Sequence, residues 1–159
     1  DIKKQEGLKY LKMAADRNHI RSIYKLGRVY LDGELVGKDY KKGISYIEFA
    51  HQNKNNEATK YLCNAYVFED KQNLNKAIDI CQKNAANGDM MNQMSLSWAY
   101  SNTNDVVKCY AWSSIGLSKA SAEKHIGFTE QFRALKDICY QSMTKSQIKR
   151  ANDLINKLK

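Results

Sequence analysis

The sequence predicts an all-α fold, an α-solenoid of antiparallel helix pairs with a C-terminal capping helical hairpin. Three observations predict it. The 159 residues contain no proline, where average usage of about 5% would give roughly eight, and that absence favours long helices over a sandwich or barrel. Small residues recur at fixed places, with a large residue three positions on, at spacings that share one helical face. Residues that cap helix N-termini stand four positions before three of those places.

The second helix of each pair carries the first pattern. Its four copies read Gly7-Leu-Lys-Tyr10-Leu-Lys-Met-Ala14-Ala15, Gly43-Ile-Ser-Tyr46-Ile-Glu-Phe-Ala50-His51, Ala77-Ile-Asp-Ile80-Cys-Gln-Lys-Asn84-Ala85 and Cys109-Tyr-Ala-Trp112-Ser-Ser-Ile-Gly116-Leu117. Asp39, Asn73 and Asp105 are the expected N-caps of the last three. The first helix of each pair carries Leu26-Gly27-x-x-Tyr30, Leu62-Cys63-x-x-Tyr66 and Leu96-Ser97-x-x-Tyr100. Two antiparallel helices approach closely only where one offers Gly, Ala, Ser or Cys, and the large columns fill the space beside that contact. The loops between the paired helices shorten along the chain. The first holds Gly33, Val36 and Gly37, the second lacks glycine, and the third is shortest.

These columns divide one solenoid domain, 1–159, into units. Residues 1–18 read as a second helix without its first, and their lysines suit a polar end face. Repeats follow at 19–54, 55–89 and 90–120, and capping helices occupy 121–159. In that last segment Ser121 is the expected cap of a helix reaching about Ser142, with Ile126, Phe132, Leu135 and Ile138 as its apolar positions. Thr144-Lys-Ser-Gln147 reads as a capping box before a final helix with Ile148, Leu154, Ile155 and Leu158.

Lys plus Arg is 26 and Asp plus Glu is 17, a net charge of +9. The excess sits at the two ends of the chain, and such charge serves solubility or attracts an acidic protein, a membrane surface or nucleic acid. The basic residues are mostly lysine and no nucleic-acid-binding signature appears, so no nucleic-acid partner is expected. No run of 18 apolar residues exists, and no transmembrane segment is expected. The chain begins with Asp1 rather than Met, which reads as a processed product or an excerpt. A secreted or periplasmic location and a cytoplasmic one both stay open. Cys63, Cys81, Cys109 and Cys139 form no CxxC pair, which excludes zinc-ribbon spacing. They allow three pairings, and since at least two stand in packing columns the expectation is buried free thiols.

No constellation points to catalysis. His51 occupies an alanine column, His19 lies in a turn and His125 on the capping helix, with no metal spacing among them. Gly33-Glu-Leu-Val-Gly37-Lys38-Asp39 fails as a phosphate loop, because three residues separate the glycines and Asp39 stands where Ser or Thr is required. Cys63 and Cys109 have no evident His partner. The expectation is a protein that is not an enzyme and holds no cofactor or metal.

Leu26-Gly27-x-x-Tyr30-x-x-Gly33-x-x-Val36-x-x-Asp39-x-x-x-Gly43, followed by Ala50, resembles a Sel1-like repeat, a relative of the tetratricopeptide repeat. Cys109-Tyr110-Ala111-Trp112 and the later Met143-Thr144-Lys-Ser-Gln147-Ile148 are similar to segments of bacterial members. The resemblance covers nearly the whole chain and is degenerate in the second unit, where Cys63 replaces Gly. It implies a non-enzymatic protein-interaction module, an adaptor, scaffold or inhibitor, whose partner lies in a groove lined by the first helices. Counting the groove face from Gly27, Cys63 and Ser97 gives three sets. They are Arg21, Tyr24, Arg28 and Leu31; Glu57, Lys60, Asn64 and Val67; and Met91, Met94, Trp98 and Ser101. The candidate partner-binding residues are Arg21, Tyr24, Arg28, Lys60, Asn64, Met91, Met94 and Trp98, since Trp, Tyr and Arg dominate interface hot spots and Met adapts to irregular surfaces. Some bacterial members resemble immunity proteins that neutralise an effector, and a charge of +9 suits an acidic one. An enzyme or accessory subunit of cell-wall metabolism is the lesser alternative.

Overall fold

The computed structural model describes residues 2–68 and 73–158. Among them the chain forms nine α-helices and no strand: α1 (Ile2–Asp16), α2 (Ile20–Asp32), α3 (Tyr40–Gln52), α4 (Asn56–Phe68), α5 (Leu74–Ala86), α6 (Met90–Asn102), α7 (Val106–Ala122), α8 (Ile126–Gln141) and α9 (Lys145–Leu158). The all-α class is as the columns predict. The helices gather into two compact units, one ending at Leu62 and the other starting at Cys63. In the first, α2 packs on α1 and on α3. In the second, α6 packs on α5 and α7, and α7 packs on α8 and α9. Most of the second loop, expected to lack glycine, lies outside the described residues.

Five connections share one backbone solution. Asn18, Lys54, Gly88, Asn104 and Lys124 all adopt positive φ, between 58° and 82°. At each, the N–H of the next residue reaches back to the carbonyl five positions earlier: His19 to Ala14, Asn55 to Ala50, Asp89 to Asn84, Asp105 to Tyr100 and His125 to Ala120, at 2.9–3.0 Å. The left-handed residue itself donates three positions back, as Asn18 does to Ala15 and Lys124 to Ser121. This is the Schellman closure, which satisfies the orphan carbonyls of a helix end. The residue after it opens the next helix. Asn55, Asp89 and Asp105 then accept from the backbone N–H three residues on, at 2.8, 2.9 and 3.1 Å. One three-residue turn thus closes one helix and caps the following one.

Between α2 and α3 the longer loop starts at Gly33, whose φ of 75° suits glycine. It ends at Asp39, which caps α3 by accepting from Lys42 N–H at 3.0 Å. Asp39 and Asp105 cap as expected. Asn73 stands at the N-cap position of α5, but its side chain makes no capping bond.

The small columns mark where helices touch. In the first unit a Cβ at Gly27 would lie 2.7 Å from Ile47 and 2.9 Å from the Gly43 carbonyl, and one at Gly43 would lie 2.6 Å from Leu31. In the second unit Ala77, Cys109, Cys63 and Ser97 are fully buried. Gly116 receives the ring of Phe132 so closely that an added Cβ would overlap it. Leu26, Leu62, Leu96, Tyr66 and Tyr100 are buried beside these contacts. On α1, by contrast, Gly7 has nothing within 4 Å of an added Cβ and Tyr10 is exposed. One column went unnoticed in the sequence. The lysine before each of three anchors lies over the tyrosine of the preceding helix: Lys42 on Tyr30, Lys76 on Tyr66 and Lys108 on Tyr100, at 4.4, 5.7 and 5.0 Å from the ring centroids.

Three expectations need correction. The cysteines are buried but not free: Cys63 pairs with Cys81 and Cys109 with Cys139, with Cα separations of 5.0 and 6.2 Å. These lie within the usual disulfide range. A small-residue column brings facing backbones close enough to bond, so packing and pairing are compatible. Ser121 does not begin a helix. It lies in the last turn of α7, which closes at Lys124, and His125 rather than Ser121 precedes α8. On α8, Phe132, Leu135 and Cys139 form the buried stripe at helical spacing, while Ile126 and Ile138 are exposed. The Thr144–Gln147 box forms as expected, with Thr144 N–H donating to Gln147 Oε1 at 2.8 Å and Gln147 N–H to Thr144 Oγ1 at 3.3 Å.

Gly116→Ala is expected to destabilise the chain by about 1–3 kcal/mol, because a fully buried ring must move, and urea unfolding measures it. Lys124→Gly is expected to stabilise by about 0.5–1 kcal/mol through relief of the left-handed backbone. Alkylation of the unfolded, unreduced chain is expected to find no free thiol, and removing either pair by Cys→Ser to lower stability by about 3 kcal/mol.

Candidate partner-binding surfaces

In the first unit, α2 presents three of the candidate residues. Arg21 is exposed, and Tyr24 and Arg28 are half-buried. Arg28 is held on several sides. Its Nη2 lies 3.7 Å from Asp32 Oδ1, its guanidinium stands 4.9 Å from the Tyr61 ring centroid, and it hydrogen-bonds Tyr24. Burial opposes its charge, but the Tyr24 hydrogen bond and the Asp32 carboxylate outweigh that and raise its pKa. Its Nε is buried without a hydrogen-bond partner. Arg28 therefore joins α2 to α4 as much as it faces outward. Tyr61 is not among the residues the groove count selects, which takes its neighbour Lys60 instead. Lys60 is exposed. Leu31, counted on the open face, is buried against Gly43.

In the second unit the surface centres on α6. Eight of the thirteen residues of this helix are buried, including Asn92, Gln93, Ser95 and Ser97. Gln93 donates to the Ala85 carbonyl at 3.0 Å and Ser97 to the Gln93 carbonyl at 2.8 Å, which offsets part of the cost of a polar interior, while Gln93 Oε1 is buried without a hydrogen-bond partner. Against that background Met91 is 48% and Trp98 38% exposed. They lie seven residues apart, on one stripe of the helix with Ser95 and Asn102. Asn102 donates to the Trp98 carbonyl at 2.7 Å, and the Ser95 hydroxyl donates to Asn64 Oδ1. Phe68, one turn beyond Asn64 on α4, is also exposed.

Met94 does not share this surface. It is 3% exposed, and a partner has no access to it. The reason is rotation: Met94 lies about 60° around the helix from Met91, and α6 is flanked by α5 and α7. Val67 is likewise buried. Asn64 is half-buried and spends its oxygen on Ser95.

The histidines serve locally. His19 Nδ1 lies 2.8 Å from Ser22 Oγ and His51 Nδ1 2.9 Å from Thr59 Oγ1. His125 precedes α8 rather than lying in it, and stands 3.4 Å from Glu123. Among the described residues no cluster of His, Cys, Asp and Glu could hold a metal ion. No helix there is long and apolar enough to cross a membrane.

A Sel1 repeat protein from Oxalobacter formigenes superposes with a TM-score of 0.59 at 19% identity, covering 98% of this chain and 80% of that one. The fold is that of a Sel1-repeat protein. A protective antigen present in uropathogenic Escherichia coli strains, which displays an SLR fold, aligns with a TM-score of 0.47 at 16% identity, over 95% of this chain and 40% of that one. No protein-family model and no curated protein matches the chain. Within the Sel1-repeat fold, α2–α3 and α6–α7 are pairs in which the Leu-small-x-x-Tyr helix meets the small-anchor helix, as the sequence columns predict.

Arg28→Met is expected to cost about 0.5–1 kcal/mol, the range of partly exposed ion and cation–π pairs. Urea unfolding at low and high salt tests it, with part of the loss disappearing at high salt.

Proposed function

We propose that this Sel1-fold chain is a non-enzymatic protein-binding module, acting as an adaptor or as an inhibitor of its partner. The observation that carries the reading is the exposure of Met91 and Trp98 on a helix most of whose residues are buried. Burying such side chains against a partner is favourable by about 25 cal/mol per Å² of apolar surface, and an exposed Trp is the residue type most often found at hot spots. Asn64 and Ser95 hold the surface between them rigid, which lowers the ordering cost of binding. Arg21 and the Tyr24–Arg28 pair form a second, basic and aromatic surface in the first unit. The neutralisation of an acidic effector, as an immunity protein does, is the form of inhibition that the net charge of +9 favours.

Affinity capture from lysate of the source cells tests the reading, with Met91→Glu/Trp98→Ala as control. Both side chains are partly exposed, so the control is expected to keep its helical circular dichroism, with a melting temperature lowered by the part of Trp98 that packs on the fold. A partner retained by the parent and lost by the control is the expected result. A partner held equally by both would remove α6 from the interface, and turnover by the isolated chain would remove the non-enzymatic reading.

A further inference from the structure

The second unit contains a cavity of about 390 Å³ where the start of α7 meets α9, apart from the surfaces above. Val107 and Leu154 supply apolar wall, and Lys108, Arg150 and Lys157 supply positive charge. Lys108 is already engaged, 3.0 Å from Asp105 and over the Tyr100 ring. Arg150 and Lys157 are exposed and make no ion pair or hydrogen bond among the described residues. They stand seven residues apart on α9, about 10 Å along its axis. Asp153 lies between them in sequence and lines the same cavity, as does Asp105, whose charge Lys108 balances.

We propose that this cavity binds an acidic, extended segment of a protein, with one carboxylate on Arg150, another on Lys157 and an apolar side chain against Val107 and Leu154. The chemistry favours a peptide over other polyanions. An extended chain in the polyproline II form advances about 3.1 Å per residue with three residues per turn, so acidic residues three apart lie on one face and span about the distance between the two cations. Asp153 repels any anion brought against it, but it accepts a peptide N–H, which a phosphate group cannot supply. A bilayer surface cannot enter a concavity, and a duplex presents no apolar side chain to Leu154. Arg is the better of the two anchors, because its planar fork grips a carboxylate through two parallel hydrogen bonds.

The test is fluorescence anisotropy with the full chain and a capped, labelled hexapeptide, Gly-Glu-Leu-Ser-Glu-Gly. Saturable binding is expected at low salt, weakening as salt rises. Arg150→Glu/Lys157→Glu is expected to reduce affinity at least about tenfold, and so is replacing both peptide glutamates with glutamine. Arg150→Gln and Lys157→Gln serve as singles should the reversal perturb folding, which circular dichroism reports. Trp98→Ala is expected to leave peptide affinity unchanged, so this result and the capture experiment fail independently. No saturation up to about 1 mM peptide, a free energy weaker than about −4 kcal/mol, overturns the proposal. So does equal affinity for the glutamine peptide or in the charge-reversed chain. Duplex DNA or anionic vesicles binding through Arg150 and Lys157 more tightly than the peptide would overturn it in their favour.

Discussion

Everything in this structure depends on the close approach of paired helices at small residues. Gly27 faces the Gly43 carbonyl with no room for a Cβ, and Gly116 admits the Phe132 ring into the space where a side chain would stand. Helices that close leave little volume between them, so the large residues must lie beside the seam rather than in it. That is why Leu26, Leu62 and Leu96 are buried next to a glycine, a cysteine and a serine. The connections are set separately from these seams: a three-residue turn closed by a left-handed residue joins successive helices five times, while the closely packed α2 and α3 keep the longer loop from Gly33 to Asp39.

The candidate surfaces follow from what this packing leaves uncovered. A helix with neighbours on both flanks buries even its polar residues, and α6 does so with Gln93 and Ser97 bonded to carbonyls. What stays outside is a narrow stripe, on which Met91 and Trp98 are the apolar members. On α2 the outcome differs, because Arg28 turns toward Asp32 and Tyr61 and ties two helices together. Candidate residues therefore stay uncovered on one helix and serve cohesion on the other, and the neighbours decide which.

The repeated lysine–tyrosine contacts show how a basic chain holds its charge close to its own surface. Lys42, Lys76 and Lys108 each cover the aromatic face of the preceding helix. The Lys42 pKa is raised mainly by its hydrogen bond with Tyr30, and that of Lys108 mainly by its hydrogen bond with Asp105. A lysine so placed contributes its stem to packing and its ammonium to the ring. Arg150 and Lys157, by contrast, face a cavity without such partners, which separates them from the cations that only hold the fold together.

By itself, the sequence determined the helical class, the alternation of paired helices, the caps at Asp39 and Asp105 and the Thr144–Gln147 box. Each depends on residues a few positions apart, where helical geometry leaves no choice. The turn at Lys124 was not legible, since lysine carries no local preference for a left-handed backbone, and Ser121 looked like the better boundary. For the site, the spacing of Met91, Met94 and Trp98 placed them on one broad face. Only the packing of α5 and α7 against α6 decided that Met94 is core and Met91 and Trp98 are surface. The cysteines make the same point. Burial was readable from their columns, but pairing requires two backbones to arrive within about 4.4–6.8 Å in the right orientation. That distance is a property of the assembled helices and of no segment taken alone.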